Sequence, residues 1–154
     1  MEYFRQRTVR DLMSRPARTV APELTLGDLL RLFDANDFDA YPVVRDERLV
    51  GIVSRVDCIK PFVTQAGTSA LDLDAIMGTT IEQIMSSRVV TLQLDATLEH
   101  VVNLTGAHDF ESFPVVDRDN RVRGIVARED VVRALARYTW PSSLPLLPLG
   151  YAIA

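Results

Sequence analysis

Apolar positions recur at i, i+3, i+4 and i+7 over Leu26, Leu29, Leu30 and Phe33, and again over Leu98, Val101, Val102 and the less apolar Thr105. That spacing keeps side chains on one side of a 3.6-residue turn, so each stretch predicts an amphipathic helix with a buried stripe. Thr25, three residues before Asp28, supplies a capping pair at the start of the first of these helices. Beyond each helix the pattern changes. Tyr41–Val44 and Leu49–Val53 are β-branched or aromatic runs separated by the polar Arg45-Asp46-Glu47-Arg48. Phe113–Val116 and Val122–Val126 repeat this around Asp117-Arg118-Asp119-Asn120. Each pair of runs predicts a β-hairpin. Val131, Val132, Leu135 and Tyr138 then give an apolar face to a closing helix. In the first half Pro61 shortens or kinks the matching helix, because proline lacks the donor and crowds the preceding turn.

The two halves are copies of one another. Val9-Arg10-Asp11-Leu12-Met13-Ser14 answers to Ile81-Glu82-Gln83-Ile84-Met85-Ser86 at an offset of 72. The same offset carries Thr19 onto Thr91, Thr25-Leu26 onto Thr97-Leu98, and Tyr41-Pro42-Val43-Val44 onto Phe113-Pro114-Val115-Val116. One extra residue in the second hairpin loop moves the offset to 73, and Gly51-Ile52-Val53-Ser54-Arg55-Val56-Asp57 falls on Gly124-Ile125-Val126-Ala127-Arg128-Glu129-Asp130. Each copy reads as a short helix, a strand, a longer helix, two strands and a last helix. The organisation expected is copy 1 over 8–63, a connecting segment over 64–80, copy 2 over 81–138 and an apolar, proline-rich tail over 139–154. Leu73–Met77 has apolar spacing like that of the leading helix, but only Met85 lies six residues before a threonine as Met13 does, so 64–80 is the link. The fold class is α/β of the α+β type, two small sheets each packed with helices in one module.

Composition narrows the function. With 154 residues, 47% hydrophobic and 25% charged, the chain has enough apolar surface for one core or two small halves sharing one. The net charge of −4 provides no general positive field for nucleic acid. Sixteen of the 17 basic residues are arginines, Lys60 being the exception, a tilt towards phosphate or carboxylate contacts. The single Cys58 cannot form an internal disulfide, which suits a cytoplasmic protein. Nowhere do 18 apolar residues run together, and the N-terminus has no apolar stretch behind its charges, so neither a membrane span nor a signal peptide is expected. The tail, uncharged and with three prolines, is expected to lie against its own module or a partner subunit.

The paired copies, each with a Met-Ser helix end, an aromatic-Pro-Val-Val strand and a Gly-Ile-Val-(Ser/Ala)-Arg-x-Asp turn, resemble a tandem pair of cystathionine-β-synthase (CBS) domains, a Bateman module, over residues 9–138. The resemblance implies two domains packed with pseudo-twofold symmetry around two clefts that bind adenosine-containing ligands such as AMP, ADP, ATP or S-adenosylmethionine. It implies regulation of an effector protein rather than catalysis, with no cofactor required. Residue chemistry fits independently. An aspartate opening a helix offers two acceptor oxygens to neighbouring ribose hydroxyls, which nominates Asp57 and Asp130. Ser54-Arg55 and Ala127-Arg128 precede them, where helix N–H groups and an arginine can meet a phosphate. By resemblance, Thr19-Val20 and Thr91-Leu92 border the base, and Tyr41-Pro42 and Phe113-Pro114 line an apolar wall.

Each nomination has a plainer alternative. Ser54 and Asp57 can be a helix cap alone, and Tyr41 and Phe113 core aromatics. Ala127 stands where the family carries Ser or Thr, which ranks the Asp130 cleft below the Asp57 cleft. Cys58 reads as a buried, inert thiol. His100 and His108, near Asp109 and Glu111, lack a second spacing for a metal, and no catalytic set recurs in both copies. A homodimer is expected, because the stripes Val9-Leu12-Met13 and Val131-Val132-Leu135 offer more apolar face than one module covers. The rival functions are a structural or dimerisation module with empty clefts, an S-adenosylmethionine sensor and, third, a small enzyme.

Overall fold

The computed structural model describes residues 2–64, 70–109 and 111–139. Two short helices, α1 (Glu2–Gln6) and α2 (Val9–Leu12), lead into α3 (Leu26–Ala35) and a hairpin of β1 (Ala40–Arg45) and β2 (Arg48–Ser54). A 3-10 turn over Val56–Ile59 and α4 (Lys60–Thr64) close the first copy. After α5 (Leu73–Met77), the second copy runs through α6 (Ile81–Ile84), β3 (Leu92–Gln93), α7 (Leu98–Ala107), β4 (Ser112–Val116), β5 (Val122–Ala127) and α8 (Arg128–Thr139). The tail from residue 140 on, including the expected packing of its leucines, lies outside the described residues.

Local sequence sets these boundaries. Thr25 Oγ1 accepts from the Asp28 amide at 3.3 Å, and Thr97 Oγ1 from the His100 amide at 3.2 Å, so the two long helices start at equivalent caps. The single-turn helices α2 and α6 begin in capping boxes, Thr8 with Asp11 and Thr80 with Gln83. Two proline effects separate the copies. In copy 2, β3 runs parallel to β4 through Leu92↔Val115 and Gln93↔Val116, whereas copy 1 keeps only the bridge Val20↔Val43. The next ladder bond there would be donated by residue 22, and Pro22 has no N–H. Pro61 sits in the first turn of α4, and the segment before it winds as a 3-10 turn where α8 is continuous helix.

The copies exchange their leading helices. Val9 is fully buried against Leu92, Val101, Phe113, Val115, Val126 and Val131 of copy 2, with Leu12 and Met13 beside it. Conversely Ile81 and Ile84, with Met85 beside them and Ile76 from α5, complete the copy 1 core around Leu26, Leu29, Phe33, Tyr41, Val43 and Val53. Burying a side chain of this kind is worth about 1.5–3 kcal/mol, so each copy depends on a helix lent by the other. Backbone bonds fix the exchange: Ser14 and Ile125 bond reciprocally at 2.9 and 3.2 Å, and Ser86 and Ile52 at 2.9 Å both ways. Gly51 and Gly124 permit it. A Cβ on Gly51 would lie 2.5 Å from Met85 Sδ and 2.9 Å from the Ser86 carbonyl; one on Gly124 would lie 2.6 Å from Met13 Sδ and 3.0 Å from the Ser14 carbonyl. The Met-Ser and Gly-Ile-Val signatures are thus the two halves of one contact, met twice. The stripes expected to seek a second subunit, Val9-Leu12-Met13 and Val131-Leu135, are instead spent on this internal packing, and Val132 alone of them is a large exposed apolar group.

Candidate functional site

Exchange of helices places two clefts between the copies, each walled by both. The larger, about 350 Å³, is lined from copy 1 by Ala40, Ile52, Ser54, Val56 and Asp57, and from copy 2 by Ser86, Asp109, Glu111 and Ser112. The smaller, about 70 Å³, is lined from copy 2 by Ser112, Ile125, Ala127, Glu129 and Asp130, and from copy 1 by Ser14, Arg18, the run Asp37–Tyr41 with its intervening residues. Pairs such as Ser86 and Ser14, or Asp57 and Asp130, stand at the repeat offset, so these are one cleft built twice.

Asp57 and Asp130 are buried in the walls, each 8–9% exposed. Asp57 Oδ2 accepts from the Ser54 amide at 2.8 Å and the Ser54 hydroxyl at 3.0 Å, while Oδ1 pairs with the Lys60 ammonium. Asp130 Oδ2 accepts from the Ala127 amide at 2.9 Å and Oδ1 from Arg133 at 3.3 Å, with no hydroxyl at position 127. Capping and ligand binding are compatible here: Asp57 Oδ2 is filled by its two Ser54 donors, but Oδ1 keeps a second lone pair, as does each oxygen of Asp130.

The other nominated residues divide. Tyr41 lines the smaller cleft rather than the one holding Asp57; its hydroxyl donates to the Leu32 carbonyl at 3.2 Å, and burial pushes its phenol above the usual range. Val20 and Leu92 are interior, with the Val20 amide on the Pro42 carbonyl at 3.0 Å; Pro42, Phe113 and Pro114 are buried as well. Thr19 is exposed and Thr91 half-buried, and neither lines either cleft. Arg55 turns away from Asp57. Its guanidinium lies 5.2 Å over the Phe33 ring, donates to the Phe38 and Asn36 carbonyls at 2.8 and 3.2 Å, and lies 3.8 Å from Asp37. Arg128 likewise reaches Asp109 at 3.3 Å. Each arginine therefore pins the loop that its own copy sends to the opposite cleft.

The sequence reading missed that loop contribution, Asp37, Asp39, Asp109, Glu111 and Ser112, and also Ser14, Ser86 and Arg18. A signal was present: Asp37/Asp109, acidic Asp39/Glu111 and Ser14/Ser86 repeat at the offset of 72 beside the quoted motifs. Cys58 is buried next to the site, and burial, then the Asp57 carboxylate, push its thiol upward, away from the reactive thiolate. Among the described residues no three His, Cys, Asp or Glu side chains converge as metal ligands, and no helix is long and apolar enough to cross a membrane.

Comparison with known proteins agrees with this architecture. The family model for the CBS domain matches residues 9–63 and again 81–137. An uncharacterised protein of Methanocaldococcus jannaschii, MJ1225, is 28% identical over 131 residues, covering 83% of this chain; the chain spans about half (47%) of that relative's length. Among solved structures, CBSX2 in complex with AMP is similar at TM-score 0.73 and 26% identity, over 86% of this chain and 98% of that one. The CBS domain pair of protein MJ0100, in complex with 5′-methylthioadenosine and S-adenosyl-L-methionine, is similar at TM-score 0.73 and 26% identity over the same shares, 86% and 98%.

Proposed function

The chain belongs to the CBS domain family, and on that footing we propose that it is a regulatory module, without catalysis of its own, that binds an adenosine-containing ligand in the Asp57 cleft and passes its ligand state to an effector protein. One observation carries this reading: the cleft of about 350 Å³ has the Asp57 carboxylate in its wall, oriented by two bonds from Ser54. Small-molecule sites run from about 300 to 1,000 Å³, and a carboxylate of this kind suits the paired ribose hydroxyls. The ligands held by the similar pairs, AMP in one and 5′-methylthioadenosine with S-adenosylmethionine in another, share adenosine, which supports the ligand class. The Asp130 cleft is narrower, about 70 Å³, and shares Asp39 and Glu129 with a shallow depression of about 470 Å³ beside it. In this reading Ser54, Asp57, Ser86 and Ser112 contact ligand, Val20, Pro42, Leu92, Phe113 and Pro114 support the walls from behind, and the cytoplasm is the compartment.

A thermal-shift screen with AMP, ADP, ATP, S-adenosylmethionine, NAD and GTP tests it. A ligand at 100 times its Kd stabilises by about 2.7 kcal/mol, a rise of roughly 5–10 °C in a chain of this size. At least one adenosine compound is expected to do this and GTP is not; no shift with any of them overturns the reading in favour of a module whose clefts stay empty. The module further pairs with a second copy. Val56, Ile59 and Val63 are 57–65% exposed along the end of copy 1, and Val132 is 59% exposed on α8, apolar groups that a twofold contact would cover. Light scattering is expected to return twice the chain mass of 17.2 kDa, and the chain mass itself at all concentrations would contradict the pairing.

A further inference from the structure

Charge around the Asp57 cleft bears on which adenosine compound it takes. Every ionisable residue in the lining is acidic: Asp57, Asp109 and Glu111. The two cations that approach from outside are already engaged, Lys60 with Asp57 and Arg128 with Asp109, so Glu111 leaves the cleft with an excess negative charge. Four of the five amides at the turn that would receive a phosphate are engaged, Val56, which lines the cleft, supplying the fifth. The amides of Ser54, Arg55, Asp57 and Cys58 donate to Asp57 Oδ2, the Asp39 carbonyl, Ser54 Oγ and the Arg55 carbonyl respectively. The Arg55 guanidinium is held over Phe33 by two carbonyls and faces away. What remains for a ligand is a carboxylate wall with one backbone amide, that of Val56, and the neutral hydroxyls of Ser86 and Ser112. Acidic residues recur at the equivalent places of the other cleft, Asp37 and Asp39, so this charge belongs to the repeat and not to one loop.

We propose that the Asp57 cleft selects adenosine compounds whose 5′ substituent is neutral or cationic, an uncharged thioether or a sulfonium, and discriminates against 5′-phosphates, with Glu111 as the selecting residue. The inference rests on the reading that this cleft binds adenosine. A phosphate brings up to two negative charges against an excess charge of the same sign, whereas a sulfonium is drawn in. Because Glu111 is solvent-exposed, the discrimination is sensitive to screening: the Debye length is about 8 Å at ~0.15 M salt and about 30 Å at ~0.01 M.

Titration calorimetry of the full chain with adenosine, AMP, ATP and S-adenosylmethionine, at both salt concentrations, tests the proposal. Adenosine and S-adenosylmethionine are expected to bind at least about tenfold more tightly than AMP or ATP at ~0.15 M, with a wider ratio at ~0.01 M. Glu111→Gln should narrow the ratio of adenosine to AMP affinity several-fold and Glu111→Lys should reverse it. AMP or ATP binding as tightly as adenosine, or a ratio unmoved by both salt and Glu111→Lys, overturns the proposal and leaves the adenosine reading standing. Failure of all four compounds to bind overturns the adenosine reading itself, and this proposal with it.

Discussion

The Asp57 cleft and the Asp130 cleft share a backbone plan and differ in a few side chains. Ser54 becomes Ala127, so the capping carboxylate loses a hydroxyl partner. Val56 becomes Glu129. Arg18, with Val90 at its counterpart position, lies 5.8 Å from the Phe38 ring and bonds Asn36 at 2.8 Å in the wall of the smaller cleft. The volumes follow, about 350 Å³ against about 70 Å³. Duplication therefore fixed the frame twice, while the lining was free to diverge, and a frame contact should respond alike in both copies where a lining contact should not.

The frame is the first place to break this comparison. Gly51→Val and Gly124→Val each drive a side chain into the sulfur and carbonyl of the lent Met-Ser segment, at nearly matched distances. Each is expected to cost about 2–3 kcal/mol, a fall in Tm of roughly 5–10 °C by calorimetry. A fall confined to one of them would show that the exchange supports the copies unequally. The lining should respond asymmetrically. Ser54→Ala removes the hydroxyl from Asp57 and is expected to lower stability by about 1 kcal/mol, or roughly 2–4 °C, whereas Ala127→Ser adds a partner to Asp130 and should raise it by up to about the same amount. Equal and opposite signs are the expectation; a loss from Ala127→Ser would mean that the Asp130 wall has no space for the oxygen.

Much of the frame was legible in the chain. Periodicity over Leu26–Phe33 and Leu98–Thr105, the caps at Thr25 and Thr97, and the paired hairpins are local signals with local causes. The exchange was not legible, because an offset of 72 shows that Met13-Ser14 and Met85-Ser86 are equivalent but not which glycine each meets. The site divided along the same line. Ser54 and Asp57 interact over three residues and could be read; Arg55 could not, since its position beside them leaves the direction of its long side chain open. Asp109, Glu111 and Ser112 were passed over because they reach the Asp57 cleft from the opposite copy, a relation that only the packing creates.

Binding of one adenosine compound to matched variants bears most directly on the choice between the clefts. With the ligand that gives the largest thermal shift, titration calorimetry of Asp57→Ala is expected to show affinity 10- to 100-fold weaker, the loss of one or two charge-assisted bonds, while Asp130→Ala binds within about threefold of the parent. Asp57→Asn, which keeps the side-chain volume, should also bind weakly. Intact binding by Asp57→Ala together with abolished binding by Asp130→Ala would contradict the assignment and move the site to the smaller cleft.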